Sequence, residues 1–519
     1  MWYPFILQNI HFATYLIGAV VCVSTGWLYA DAWVQSKKPK EFWKVAGYLL
    51  LALSFIVTAT VIEFGSDTGG IPTQIYLSRS LRVISYLFLA FGLLIDPLQP
   101  RPKYNAVLPF GAIAISIPLP LLSGLIAFMY MRRATVGLEH HVKPPAASFF
   151  MLAFHDLVTE AMLFHAKTQN VDIFSLTAPF GPLWILRHIL FALSVAILAR
   201  WVFGYLVKRF NSQFFLIFTN VTLVSFVLIT VSFTFLLMRN LQADTIAKLT
   251  TSARVLSYSI DSRLEQQLSD AQALAASPAL GIALEKLDSG TLFSLAQSYL
   301  VSKSLSSVVI VDTNGKVLAR GEDRERVGMS LSDDAIVVKA RKGVGAAGLT
   351  SQEGAFTGKL ILTSAAPIGS TGDPQGAVMV GVELGNSFLD GIKDATGLDS
   401  SLYIQDILSA TTLVEAGNAQ RPIGIKEKNN RVLTSVLEKQ EPSSGEATFL
   451  NRGFLVSYLP LLNANSESIG MLSVAVGQES LLETAAVSIE ATFRVTGFLL
   501  LLSFVPALWI AKRVSSQLE

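Results

Sequence analysis

The sequence predicts a helical transmembrane bundle joined to an α+β domain outside the membrane, entered by one long helix and built from two similar antiparallel-sheet modules in tandem. Three observations predict it. Of 519 residues, 51% are hydrophobic and only 15% charged, against roughly 25% charged in an ordinary soluble domain, which excludes a disordered chain and disfavours a fully soluble enzyme. The formal net charge of +2 hides a split: 239–493 carries 21 Lys/Arg and 28 Asp/Glu, whereas the remainder carries 19 and 10. Finally, one order of strands and helices occurs twice within the acidic block. At about 100–200 residues per domain the length allows three or four units. The single cysteine, Cys22, lies in an apolar run, which excludes an intrachain disulfide framework and a Cys-based zinc site.

Apolar runs about long enough to cross some 30 Å of hydrocarbon, roughly 17–25 residues, fall at 10–30, 45–63, 81–96, 106–130, 182–206, 214–238 and 494–511. The first lacks the basic lead and small-residue cleavage pattern of a signal peptide, so it counts as a span. Residues 1–206 therefore read as a multi-span helical region. Residues 207–238 hold the clearest span, without an ionisable side chain from 214 to 238, and 493–519 hold the last span and a short tail.

The stretch 146–165 is ambiguous. His155, Asp156, Thr159 and Glu160 share a helical face, and with His165 they form a polar cluster that either crosses with its stripe inward or lies in the interface. The spacing is not HExxH and no second His/Glu helix pairs clearly with it, so no metal is assigned. His188, beside Arg187 near a span end, reads as snorkelling. Lys208 and Arg209 before 214–238, and Lys512 and Arg513 after the last span, place 239–493 outside by the positive-inside rule. Nearer the N-terminus, a crossing at 146–165 sends Lys37, Lys38, Lys40 and Lys44 outside, and its absence sends Arg132 and Arg133 outside. The second topology, seven spans with the N-terminus outside, is preferred.

In 239–289, Ile246, Leu249, Ala253, Leu256 and Ile260 repeat at alternating spacings of 3 and 4, the seam of a long stalk helix. The seam suits packing on a copy of itself, which predicts a dimer, and equally suits packing on its own domain. Beyond it, 290–398 and 399–492 repeat. The first unit runs SVVIVDTNGKVLAR, a helical stretch 333–341, then KLILTSAAPIGSTGDPQGAVMVG; the second runs SLYIQDILSATTL, a helical stretch 429–439, then RGFLVSYLPLLNANSESIGMLSVAVG. Each has a proline late in one strand (Pro367, Pro460) and a glycine opening the last (Gly376, Gly470). Asp312-Thr-Asn-Gly315 reads as a turn.

At VVIVDTNGKVLARG, at AAPI followed by GAVMVGVEL, and at YLPLL followed by IGMLSVAVG, the block from about 240 to 490 resembles the double Cache family of extracytoplasmic sensors. The resemblance implies PAS-like modules, membrane-distal (290–398) then membrane-proximal (399–492), on a stalk helix. It also implies a homodimer and a small ligand held usually in the distal module. It departs from the amino-acid-binding branch, since 253–405 contain no Trp. The N-terminal part is similar only in span count to the multi-span sensory regions of bacterial receptors.

Within this frame the candidate ligand residues are Arg320, Asp323 and Arg326 after a strand of the first module, with Lys359, Ser364 and Glu383 on later strands. Guanidinium is a planar fork suited to carboxylates, and a strand acid facing a cavity needs a partner. Against them stand a solvated loop of mutually screened charges and the outward half of a sheet with one wet face. Thr363 and, in the second module, Tyr403, Thr411, Thr412 and Arg421 are weaker candidates.

No nucleophile elbow, Walker A, GxGxxG or kinase signature occurs, and an acidic ectodomain argues against a nucleic-acid partner. The expectation is a membrane-bound chemosensory receptor without catalytic residues, cofactor or metal of its own. Its output would lie beyond residue 519 or on a cytoplasmic partner. A transporter or membrane enzyme with its chemistry in the bundle, and an adhesive surface protein, are the alternatives.

Overall fold

In a computed structural model of the chain, the described residues are 2–63, 73–96, 118–168, 176, 178–208, 210–354, 357–370, 372–415, 420–450 and 452–518. They form two units, Met1–Asn240 with Glu479–Glu519, and Leu241–Gln478.

The first unit is helical: α1 (Trp2–Ser36), α2 (Pro39–Ala59), α3 (Thr73–Leu94), α4 (Leu119–Thr135), α5 (Lys143–Thr168) and α6 (Pro182–Leu206), with the start of α7 (Phe210–Ala275) and most of α13 (Gln478–Leu518). Among the described residues seven helices are long and apolar enough to cross a membrane, at Trp2–Ser36, Pro39–Ala59, Thr73–Leu94, His140–Phe164, Pro182–Leu206, Gln213–Ala275 and Gln478–Ile510. The ambiguous stretch 146–165 is one of them. The expected span 106–130 is described only from residue 118, where it enters the 17-residue α4; Arg209 and the side chains of His165 and Lys512 lie outside the described residues. Gly18 and Gly47 let helices close in, because a Cβ at either would meet Phe191 or Leu89 at 2.7 and 2.6 Å.

Asp96, after α3, gathers Lys40 and Lys44 of α2 and Arg133 of α4, with Lys44 Nζ at 3.1 Å and Arg133 Nη1 at 2.7 Å. The lysine and arginine clusters thus sit at one end of the bundle. The sequence-level choice between exposing one or the other disappears.

The second unit holds the rest of α7, then α8 (Pro278–Glu285) and α9 (Ser289–Ser302), and two five-stranded antiparallel sheets. The first sheet has β1 (Ser307–Asp312), β2 (Val317–Arg320), β3 (Ala346–Gln352), β4 (Lys359–Ser370) and β5 (Asp373–Glu383), in the order β2-β1-β5-β4-β3. The second has β6 (Asp399–Ile404), β7 (Ile407–Thr411), β8 (Ser443–Phe449), β9 (Arg452–Leu462) and β10 (Ser468–Gly477), in the order β7-β6-β10-β9-β8. The two orders are the same, which is the internal repeat made physical. Between β2 and β3 lies α10 (Ala335–Arg341). Its counterpart between β7 and β8 is α12, Asn430–Leu433 continued by a π turn at Thr434–Glu438; α11 (Asn386–Thr396) joins the modules.

The first sheet is covered on both faces, contrary to the one wet face expected from alternation. Val308, Ile310, Val378 and Val380 pack under the end of α7, α8 and α9, while Val309, Val311, Ala365, Ala377 and Met379 pack under Ile336, Val337 and Ala340 of α10. A strand buried on both sides needs a continuous apolar run, which is what VVIV supplies; each such valine is worth about 1.5–3 kcal/mol on full burial. In the second module, Tyr403, Val456, Tyr458 and Met471 pack under Val432 and Val436. Gly376 and Gly470 occupy matching places, where a Cβ would lie 2.3 Å from the Val311 carbonyl oxygen and 1.9 Å from that of Tyr403.

The stalk seam is covered by its own chain. Leu249, Ala253, Leu256 and Ile260 are buried and Ile246 half-buried, and Thr250 beside them bonds to Ser444 of β8 and Ser457 of β9 at 3.2 Å each. The seam predicted for a second copy is therefore occupied within the chain, the other of the two packings its spacing allowed. The helix also stops at Ala275 rather than reaching 289, with Pro278 opening α8 after a short break.

Candidate functional site

Antiparallel pairing of β4 with β5 brings the start of one strand to the end of the other, so Lys359 and Glu383 meet. Their Nζ and Oε2 atoms are 2.8 Å apart, with both side chains partly exposed. The Glu383 N–H donates to Ser306 Oγ at 2.9 Å, holding the strand end in place.

Here the two modules line an open pocket of about 470 Å³. Lys359 and Glu383 line it from the first module, Asn386 from the start of α11, and Ser409 and Gly424 from the second. Ser409 Oγ donates to the Gly358 carbonyl at 2.7 Å and Asn386 Oδ1 accepts from the Thr411 N–H at 3.0 Å, so side chains of one segment bond to the backbone of the other. Arg421 braces the rim: its Nη2 is 2.9 Å from both carboxylate oxygens of Asp390, and its Nη1 donates to the Thr411 carbonyl at 2.8 Å. Gly424 has φ +88°, a backbone turn that favours glycine. An ammonium, a carboxylate, an amide and a hydroxyl thus face one space, a set able to exchange its internal bonds for those of a small polar molecule.

The other predicted residues lie elsewhere. Arg320 ends the edge strand β2, separated from β4 by β1 and β5, and pairs with Glu322 at 3.1 Å; Glu322 also accepts from the Val308 N–H at 3.2 Å. Asp323 accepts from the Glu325 N–H at 3.0 Å, and Arg326 is exposed. Ser364 is buried and donates to the Leu264 carbonyl of α7 at 3.4 Å. Thr363 bonds to Thr350 across the strand pair at 2.7 Å. Asp312 closes its turn as expected, accepting from the N–H groups of Asn314 and Lys316 at 2.8 and 2.9 Å. In the second module the Tyr458 hydroxyl donates to Glu427 at 2.9 Å. Burial, with Tyr403 and Glu427 adding to it, pushes the Tyr458 phenol well above its usual range, and burial then Glu427 does the same to Tyr403.

In the bundle, the predicted cluster of His155, Asp156 and Glu160 has partners that were not read from the sequence. Arg82 reaches Asp156 at 3.0 Å, Tyr86 donates to Asp156 at 2.9 Å, and Arg79 pairs with Glu160 at 2.7 Å. His155 bonds to Tyr15 at 2.9 Å and to Asp156 at 3.1 Å. All of these except Tyr86, together with His11, Glu63 and Arg187, line a cavity of about 230 Å³. His188 does not snorkel: it is buried and bonds to His11 at 2.8 Å. The signal that could have found Arg82 and His11 is that each is ionisable and lies in or at the edge of an apolar run.

Residues 242–481 match the profile of a family described as the double sensory domain of two-component sensor kinases. Solved structures similar to the chain include three sensor domains. The periplasmic domain of Vibrio cholerae LuxQ is 16% identical, with 44% of this chain and 99% of that one covered and a TM-score of 0.32. The ligand-binding domain of the Campylobacter jejuni chemoreceptor Tlp3, in complex with 4-methylisoleucine, is 14% identical over 46% and 94%, with a TM-score of 0.34. The V. cholerae histidine kinase DctB sensor domain is 11% identical over 45% and 98%, with a TM-score of 0.34. A comparison with curated proteins finds no match. By fold and family profile, the chain is a sensory input protein of signal transduction, a membrane protein with an extracytoplasmic sensor domain. Residues 242–481 are a double Cache domain.

Proposed function

We propose that this protein is a transmembrane chemosensory receptor whose double Cache domain binds a small polar ligand bearing a carboxylate or an amine, in the cavity at the junction of the two modules. The observation that carries this is the Lys359–Glu383 pair on the wall of a cavity contributed by both modules. A ligand there exchanges a partly exposed ion pair for its own contacts and touches both modules at once. The α10 face of the first sheet, by contrast, is filled with aliphatic side chains. The basic end of the bundle supports a cytoplasmic placing of Lys40, Lys44 and Arg133, with 239–493 outside. Ligand preference for one of two packings by a few kcal/mol suffices to bias α7 and α13, and through them a cytoplasmic output partner. Any dimer through the stalk falls to the face carrying the exposed Val255 and Tyr258, since the seam is covered.

The test is a thermal-shift screen of a soluble 240–492 fragment against small carboxylates and amines, repeated with Lys359→Ala and Glu383→Ala. A ligand that stabilises the parent and loses that effect in both variants supports the site. A ligand that stabilises all three alike places binding elsewhere.

A further inference from the structure

The interior of the bundle contains an arrangement that two neutral imidazoles cannot satisfy. His11 on α1 and His188 on α6 face each other with Nδ1 of the first 2.8 Å from Nε2 of the second. The outer nitrogen of each ring meets a backbone carbonyl: His11 Nε2 is 2.9 Å from the Thr58 oxygen and His188 Nδ1 is 2.8 Å from the Trp184 oxygen. Carbonyl oxygens only accept, so both outer nitrogens must carry hydrogen. A neutral imidazole has one N–H, and those two hydrogens are then spent. The facing nitrogens are left as two lone pairs at hydrogen-bond distance, a repulsive contact unless a third proton lies between them.

We propose that His11 and His188 together form a proton-binding site in the membrane bundle, a second input separate from the cavity of the Cache domain. The loaded pair holds three protons on four nitrogens and carries one positive charge. Its surroundings contain what a buried cation needs. The ring of His188 stacks on Trp184 with centroids 3.7 Å apart, which presents a π face to the charge, and that of His11 lies 4.7 Å from Tyr15 at a tilt of 52°. The Glu63 carboxylate is 3.9 Å from His11 Nδ1 and is shared with Arg187 at 2.6 Å. Burial of the rings and the Arg187 guanidinium oppose the charge; Glu63 and the two carbonyls favour it. The remaining charged and titratable neighbours among the described residues are Tyr15, His155 and the Arg82–Asp156 pair, which is balanced within itself.

Loss of the proton turns the α1–α6 contact from a hydrogen bond into a repulsion. One ring must then rotate away from its carbonyl or the helices must shift, against the packing of Gly18 on Phe191 and the Tyr15–Phe191 stack. Proton occupancy is thereby coupled to the fit of two helices in the same chain that carries the ligand domain.

The experiment uses the full chain in lipid bilayers with ¹⁵N-labelled histidine. Solid-state NMR is recorded from acid to alkaline pH on the parent, His11→Gln and His188→Gln. The expected result near neutral pH is one proton-sharing imidazole pair among the six histidines, with coupled N–H···N signals that vanish in either variant and are lost from the parent as the pH is raised. Spectra of the parent showing only neutral buried rings throughout overturn the proposal, and this holds even if a variant fails to fold. So does a metal that co-purifies with the parent, is removed by chelator and takes the signals with it, since the cation is then not a proton.

Discussion

Replacing Asp156 by alanine removes the counter-charge of a buried guanidinium. The side chains of Asp156 and Arg82 are 0% and 6% exposed. Without the carboxylate, Arg82 keeps the hydroxyls of Ser54 and Thr58, at 3.3 and 3.2 Å, and the face of the Phe55 ring at 5.3 Å, and both Tyr86 and His155 lose a partner. Breaking a buried pair from one side costs about 3–5 kcal/mol. At about 2–4 °C per kcal/mol for a unit of this size, the unfolding midpoint falls by about 6–20 °C. The double variant Arg82→Met/Asp156→Leu removes both charges and keeps the volume, so it recovers most of that loss. The assay is the fraction of full chain in mild detergent that stays monodisperse after heating, read by size-exclusion chromatography over a temperature series. A midpoint for Asp156→Ala indistinguishable from the parent refutes the reasoning, as does a double variant no better than the single one. The outcome also bears on function, because a transport or enzyme activity lost with Asp156 is evidence of chemistry only if the bundle survives the substitution.

Gly470→Ala places a Cβ against the Tyr403 carbonyl and costs about 3 kcal/mol or more in denaturant unfolding of the 240–492 fragment; Gly445→Ala, with open space around it, serves as the neutral control. Tyr458→Phe strips Glu427 of its phenol donor and costs about 1.5–3 kcal/mol by the same measurement. Because the folded Tyr403 and Tyr458 phenols titrate above the ordinary value of 10.0, their contribution is intact below that value and is lost as pH rises beyond it. Alkaline unfolding curves should therefore steepen there, and less so in Tyr458→Phe. Lys359→Ala changes stability by less than about 1 kcal/mol, since its ion pair is partly exposed, so a large loss of ligand response in this variant reports on binding.

The double module was legible because its signals are local. Continuous aliphatic runs, Gly376 and Gly470 at matching places, and the Asp312 turn each act within a few residues of chain. The seam of α7 was equally visible, but periodicity states that a stripe is buried and not against what; Thr250 meeting Ser444 and Ser457 supplies the answer. Lys359 and Glu383 could be named individually from strand chemistry, whereas their contact depends on the β4–β5 register. In the bundle the polar residues are joined across large separations: Arg82 lies 74 residues from Asp156, and His11 lies 177 from His188. Hydropathy ranks such residues as blemishes in apolar runs. Asking which opposite charge neutralises each would have suggested a partner for Asp156, but not which one.

The 66-residue α7 runs without a break from Phe210 to Ala275, and α13 begins at Gln478, directly after β10 ends at Gly477. A helix keeps angular phase, so one inserted residue turns everything beyond it by about 100°, whereas seven or eleven return it to within about 20°. Within Leu241–Ala275, where Leu249, Ala253, Leu256 and Ile260 are buried, one inserted residue would turn part of that seam to solvent, so viable relatives should differ there by sevens and elevens rather than by single residues.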